Sequence, residues 1–325
     1  FVIPVNGRFV SEQDPRFREW QSLVRDYGVG GLIFMAGDVY GQALVTRHLQ
    51  EIASVPLWVS QDMEFGAAMR VEGTTRFTPA MGIAATGHPE NAFIKGQITA
   101  REARALGVHQ IFAPVLDVNN NPDNPVINVR SYSSDPDIVA EFGEAFIRGV
   151  ESEGVLATAK HFPGHGDTQV DSHLALPVIS HSWQRLDSLE LAPFRRVIGN
   201  GLRSIMSAHI AYPNVSSSPE LPATLDPDIL QGVLSDSLGF EGLVVTDGLE
   251  MQGISSRFSP GEAVVRSLSS GADIMLISPD PQTAIHEVEM AVRRGQLTEE
   301  RIDRSVRKIL TLKAMHGLFH TPGVD

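Results

Sequence analysis

The sequence predicts an α/β fold, a closed (β/α)8 TIM-type barrel formed as a single domain. Three observations carry that expectation. Short apolar runs recur along the 325 residues as nearly continuous stretches rather than strict alternations, as expected of parallel strands buried on both faces. Amphipathic stretches of helical period separate them, which is the pattern of strands that cross over through helices. Eight such units follow one another without an intervening linker, and eight fit a closed barrel of about 300 residues. An open doubly wound sheet is the alternative, but no G-x-G-x-x-G turn follows the first strands, so a dinucleotide-binding sheet has little support.

The expected strands are FVIPV (1–5), GGLIFM (30–35), LWVSQ (57–61), HQIFAPV (109–115), VLATAK (155–160), RSIMSA (203–208), LVVTD (243–247) and ADIMLI (272–277). Each is a short apolar run bounded by polar, Gly or Pro residues. Helices are expected at 89–107, 136–154 and 186–201, each amphipathic and each closed by a glycine, the residue helix C-termini prefer. The run from Thr298 to Phe319 has apolar positions at helical spacing and reads as the final covering helix. One domain spanning 1–325 is expected.

Composition narrows the function. With 26 basic and 39 acidic side chains the formal net charge is −13, and no Lys/Arg run supplies the basic footprint that phosphate backbones require. A nucleic-acid partner is not expected. Hydrophobic residues make up 42% and charged ones 20%, a composition able to bury a core. No apolar run approaches the ~20 residues that cross a bilayer. Cysteine is absent, which removes disulfides, thiolate nucleophiles and Cys-based zinc sites together. The chain opens on Phe1 rather than Met and shows no signal peptide, so the segment reads as a mature or trimmed fragment.

In a barrel, catalytic residues sit where strands end and the following loops begin. Polar residues recur there: Asp62 after strand three, Asp117 after strand four, Lys160 and His161 at strand five, His209 after strand six and Asp247 at strand seven. The densest stretch is K-H-F-P-G-H-G-D-T-Q-V-D-S-H, from Lys160 to His173. Its Pro163, Gly164 and Gly166 preclude a regular helix, so it forms a loop able to carry His165, Asp167, Asp171 and His173 over the barrel mouth.

That segment, with LALPVI after it and VVTDGLEM further on, resembles the signature stretches of glycoside hydrolase family 3 β-N-acetylglucosaminidases of the NagZ type. The resemblance extends from the GGLIFM strand to the terminal helix. It implies a barrel without cofactor or metal, and retaining hydrolysis of terminal β-linked N-acetylglucosamine, commonly from peptidoglycan fragments. It implies Asp247 as nucleophile, His173 as general acid/base and Asp171 as the partner orienting His173. It also implies Asp62, Arg70, Arg130, Lys160 and His161 as ligands of the sugar. The chemistry agrees: a carboxylate can form a covalent glycosyl-enzyme that water resolves with retention, and an imidazole can give and then take a proton near neutrality. A small glycan is the expected partner and a monomer the expected state. Bacterial cytoplasm and cell envelope both remain open.

Each residue has a plainer role beside this one. Asp171 and His173 two apart fit an ordinary surface pair. Asp247 fits a helix N-cap, with Glu250 as its capping-box partner. Arg70 and Arg130 fit rim charges. Where many relatives read D-Q-E-G-G, this chain reads Asp62-Met63-Glu64-Phe65-Gly66, which leaves the aglycone preference open. Three other functions compete. Phosphorolysis could use the same residues, since a histidine acid/base does not repel an anion. A metal-dependent amidohydrolase would draw on His161, His165, His173, His209, Lys160 and Asp247, but no H-x-H pair ends an early strand. A non-catalytic glycan-binding barrel would keep the pocket without the chemistry.

Overall fold

The computed structural model describes residues 1–8 and 10–319. Its strands are β1 (Val2–Gly7), β2 (Gly31–Asp38), β3 (Trp58–Gln61), β4 (Val71–Glu72), β5 (Gln110–Ile111), β6 (Leu156–Ala157), β7 (Ala159–Phe162), β8 (Ser204–Ser207) and β9 (Leu243–Thr246). They form two sheets, one ordered β1-β2-β3-β5-β6 with β4 beside β2, the other β7-β8-β9. Every pairing is parallel. The α/β class read from the sequence therefore holds, with helices supplying the crossovers. Single parallel bridges continue the order at Val115–Lys160, Val245–Ile274 and Val2–Leu276.

Three expected strands differ in the structure, each for a local reason. The fourth, 109–115, keeps regular pairing only at Gln110–Ile111, because Pro114 has no N–H to donate to a ladder. The fifth divides at Thr158, whose N–H is shared between Ile111 O and Ala113 O across this irregular neighbour. The eighth, 272–277, is present as bridging residues and not as a ladder. There the hydroxyl of Thr246, rather than a backbone carbonyl, accepts the N–H of Leu276 at 3.0 Å. Ile277 then ends the run at φ +50°, a conformation costly for a β-branched residue. The added strand β4 lies within a stretch the sequence reading left as loop.

The helices follow the expected pattern. Pro89–Ala105, Pro136–Glu151 and Glu299–Met315 lie within the expected spans, the last capped by Thr298, whose hydroxyl accepts from Arg301 N. The 186–201 stretch opens with a π turn, Leu186–Glu190, and continues as Leu191–Gly199. Helices Pro89–Ala105 and Pro136–Glu151 approach so closely that a Cβ on Gly96 would stand 2.4 Å from Phe146 O, and one on Gly149 2.1 Å from Phe93 O.

Most buried apolar side chains join one large core between strands and helices. A second, smaller cluster holds Val2, Ile33, Phe112, Met206, Leu243, Val245, Ile274 and Leu276, drawn from both sheets. A polar layer also crosses between the sheets, where Gln110 Nε2 donates to Thr158 Oγ1 at 2.8 Å and Ser204 Oγ at 3.0 Å. No described helix is long and apolar enough to cross a membrane.

Candidate active site

The strand ends bring a group of charged side chains together. Lys160, on β7, donates to Asp62 Oδ1 at 2.9 Å and stands 2.8 Å from Glu64 Oε1. Arg70 holds the other oxygen of Asp62 at 2.6 Å. Arg130 grips Glu64 bidentately, at 2.9 and 2.8 Å, a geometry only a guanidinium offers. The side chains of Lys160 and Glu64 are just 4% and 5% exposed. Burial opposes ionisation of both carboxyls, but Lys160 with Arg70 or Arg130 outweighs it and holds Asp62 and Glu64 below the usual carboxylate range. Burial likewise opposes the charge on Lys160, and Asp62 and Glu64 overcome it and raise its pKa.

His161, next along β7, is fixed by Asp117. Its Nδ1–H donates to Asp117 Oδ2 at 2.7 Å, which leaves Nε2 toward Arg130 Nη2 at 3.5 Å. Asp117 also accepts the backbone N–H of His165 at 2.6 Å. It is entirely buried, and although burial opposes its charge, His161 and His165 hold its pKa down. The Lys160–His161 peptide is cis.

Asp247 follows β9 directly. Its Oδ1 accepts Gly248 N at 2.8 Å, and burial is outweighed by His161, His209, that hydrogen bond and Lys160, so its pKa is lowered. It is therefore ionised at neutral pH. Asp247 caps no helix: the next one, Gln252–Ser255, has Met251 at its N-cap without a side-chain bond, and Glu250 closes no capping box. His209 is buried, with Nε2 donating to Gly248 O at 2.9 Å and Nδ1 facing Thr224 Oγ1 at 2.9 Å. Burial lowers its pKa.

The loop after β7 carries the remaining residues. It enters by pressing Gly166 onto the neighbouring chain, where a Cβ would lie 1.7 Å from Val118 O; no other residue fits. Asn124 Nδ2 donates to the carbonyls of His165 and Gly166 at 2.9 and 3.0 Å, and Thr168 Oγ1 lies 2.9 Å from His165 Nδ1. Burial lowers the pKa of His165 to about 4, so it is neutral and its Nε2 meets Ser172 Oγ at 3.2 Å. Gly253 N donates to Ser172 O at 3.1 Å, tying this loop to the one that follows Asp247. Asp171 and His173 flank that anchor. His173 Nδ1–H donates to Asp171 Oδ1 at 2.8 Å, and the same oxygen accepts His173 N at 2.9 Å. The imidazole is 63% exposed.

The expected site residues thus fall into three parts. Asp62, Arg70, Arg130, Lys160 and His161 form one buried network with Glu64 and Asp117. Asp171 and His173 form a pair on the loop, and Asp247 stands apart from both in the chain, at the end of β9. Among the described residues no hydrogen bond joins the pair to the network. Glu64 was absent from the expected site, although its spacing from Asp62 was a signal, since alternate residues of an extended run share a side. Asp117 was noted at its strand end without a role. Met63 is fully buried in the main core and so lines no sugar site, while Phe65 is half-buried. No three His, Asp or Glu side chains among the described residues are arranged to hold a metal ion.

Comparison with known proteins bears on this arrangement. The model of the glycosyl hydrolase family 3 N-terminal domain matches residues 10–312. The chain is 36% identical over 328 residues to "Beta-hexosaminidase A" of Pseudoalteromonas piscicida, covering 91% of this chain and 55% of that protein. The solved structure of a glycoside hydrolase family 3 β-N-acetylglucosaminidase from Paenibacillus sp. str. FPU-7 superposes with a TM-score of 0.90 at 40% identity, covering 100% of this chain and 62% of that one. "Beta-glucoside phosphorylase BglX" superposes with a TM-score of 0.85 at 31% identity, covering 88% of this chain and 54% of that one. The chain therefore spans between half and two thirds of these relatives.

Proposed function

Because the chain belongs to the glycosyl hydrolase family 3 N-terminal domain family, we propose that it is a retaining β-N-acetylglucosaminidase whose residues 1–325 form one catalytic barrel. The bridges at Val2–Leu276 and Val245–Ile274 and the apolar cluster shared by both sheets support the closed form. The substrate is a small glycan ending in β-linked N-acetylglucosamine, of which peptidoglycan fragments are the favoured natural source.

One observation carries this reading: an ionised Asp247 stands at a strand end among His161, His209 and Lys160, on a loop bonded through Gly253 to the Asp171–His173 segment. Asp247 attacks the anomeric carbon as the glycosidic C–O bond breaks, and the leaving oxygen takes the proton from His173 Nε2. Nε2 then accepts a proton from the water that attacks the same carbon and releases Asp247, giving net retention. Asp171 holds the proton on Nδ1 and so keeps Nε2 as the exchanging atom. Asp62, Arg70, Arg130, Lys160 and His161 present the donors and acceptors that bind sugar hydroxyls. Since each of these charges is already paired, the wall is preorganised before substrate arrives.

The test is to trap the ester with a slowly hydrolysed fluorosugar and locate it by peptide mass spectrometry. A label on Asp247, with a β-configured product by NMR, is expected; a label elsewhere or an α product overturns the assignment. Phosphorolysis is the second reading, favoured by the likeness to the phosphorylase structure and by an acid/base with no negative charge of its own. A sugar 1-phosphate formed in phosphate buffer would establish it.

A further inference from the structure

Glu250 is a carboxylate at this site that neither the sugar wall nor the proton pair uses. Asp62, Glu64, Asp117 and Asp171 each have a basic partner within 4 Å. Among the described residues Glu250 has no such ion pair. Its residue is exposed, yet its carboxylate lies back over Gly248: a Cβ placed there would lie 2.4 Å from Glu250 Oε2 and 2.8 Å from Oε1. The carboxylate is thus pressed against the backbone of the residue whose N–H binds Asp247. Glu250 follows Asp247 by three residues, on the segment that Gly253 N ties to Ser172 O, the residue between Asp171 and His173. Burial, then Asp247, push its pKa up to about 7, while its residue keeps contact with solvent.

In the mechanism proposed above, the leaving group departs and the acceptor arrives on the side of His173. A carboxyl group there, negative once it has lost its proton, acts on whatever occupies that side. We infer that Glu250 is a specificity-determining residue that disfavours anionic acceptors at this site, steering the glycosyl-enzyme toward water and neutral hydroxyls. The inference rests on the covalent mechanism under Proposed function. It gives this chain a device against phosphate that its histidine acid/base by itself lacks.

The experiment lets azide and methanol compete for the glycosyl-enzyme formed from 4-nitrophenyl N-acetyl-β-glucosaminide, in the wild type, Glu250→Gln and Glu250→Ser. Azide attacks the anomeric carbon as an anion and displaces Asp247, giving the glycosyl azide; methanol gives the methyl glycoside and passes its proton to His173. At pH 8, both substitutions are expected to raise the azide-to-methanol product ratio about three- to tenfold, the effect of one unit charge acting across a few ångström of partly hydrated protein. At pH 6, where the carboxyl is largely protonated, the gain is smaller. An unchanged ratio at pH 8, an equal gain at both pH values, or no azide adduct from any of the three proteins overturns the inference. A wild type that releases no 4-nitrophenol overturns the proposed function itself, a different result from an unchanged ratio.

Discussion

The wall around Lys160 and the pair at His173 are built in opposite ways. In the wall, Lys160 and Glu64 are almost wholly buried and every charge has a partner on another strand end or loop. The pair is local: Asp171 and His173 are two residues apart, bonded to each other and largely open to solvent. A buried network of this kind resists deformation, and removing one member strands its partners without water or counter-charge. An exposed pair contributes little to stability but can swing toward a substrate and back. On the proposed roles, the contrast separates the structural demands of binding from those of proton transfer, so substitutions in the two regions should fail differently.

The largest effect is expected between them, at Asp247. Asp247→Asn keeps the shape and removes the proposed nucleophile, and kcat should fall about 10⁴-fold or more; steady-state rates at matched folding check this. His173→Ala should lower kcat by about 10²–10⁴-fold with thermal stability nearly unchanged. A 2,4-dinitrophenyl leaving group, which needs no proton, should restore the first step in that variant but not in Asp247→Asn. Should both variants respond alike, the assigned roles are wrong.

Glu64→Ala tests the wall. It leaves Lys160 and Arg130 short of a counter-charge and should destabilise the fold by about 3–5 kcal/mol, read by urea unfolding, with KM raised as Arg130 loses its orientation. A Glu64→Ala protein as stable as the wild type would break the comparison, for the wall would then be no tighter than the pair.

The smallest effect concerns pH. His165 and His109 both have their pKa lowered to about 4, burial being the main cause. Between pH 6.5 and 4 the unfolded chain binds a proton at each that the folded chain does not, so stability is lost as pH falls through this window. The carboxyls of Asp62, Glu64 and Asp117, lowered in the folded state, keep their contribution until pH drops below the ordinary carboxylate range. Melting temperatures should therefore decline from about pH 6.5 downward and drop faster below about pH 4. His165→Gln, which cannot titrate, should flatten the first decline; an unaltered slope would show that another group drives it.

Much of this was legible along the chain. Runs such as GGLIFM and LVVTD declare buried parallel strands because their apolar character is continuous, and 89–107 declares a helix by its period and closing glycine. The chain also placed Asp62, Lys160, His161 and Asp247 at strand ends, and Asp171 with His173 on one loop, since those are local facts of spacing. Strand regularity around Pro114 and Thr246 was less legible, because it depends on which donor meets which acceptor across a neighbour. Tertiary contact alone decided that Glu64 and Asp117 are structural members of the site and that Met63 turns into the core. Those outcomes follow from charges and shapes supplied by residues tens of positions away, and no one-dimensional pattern encodes the distance between two side chains that only folding brings within 3 Å.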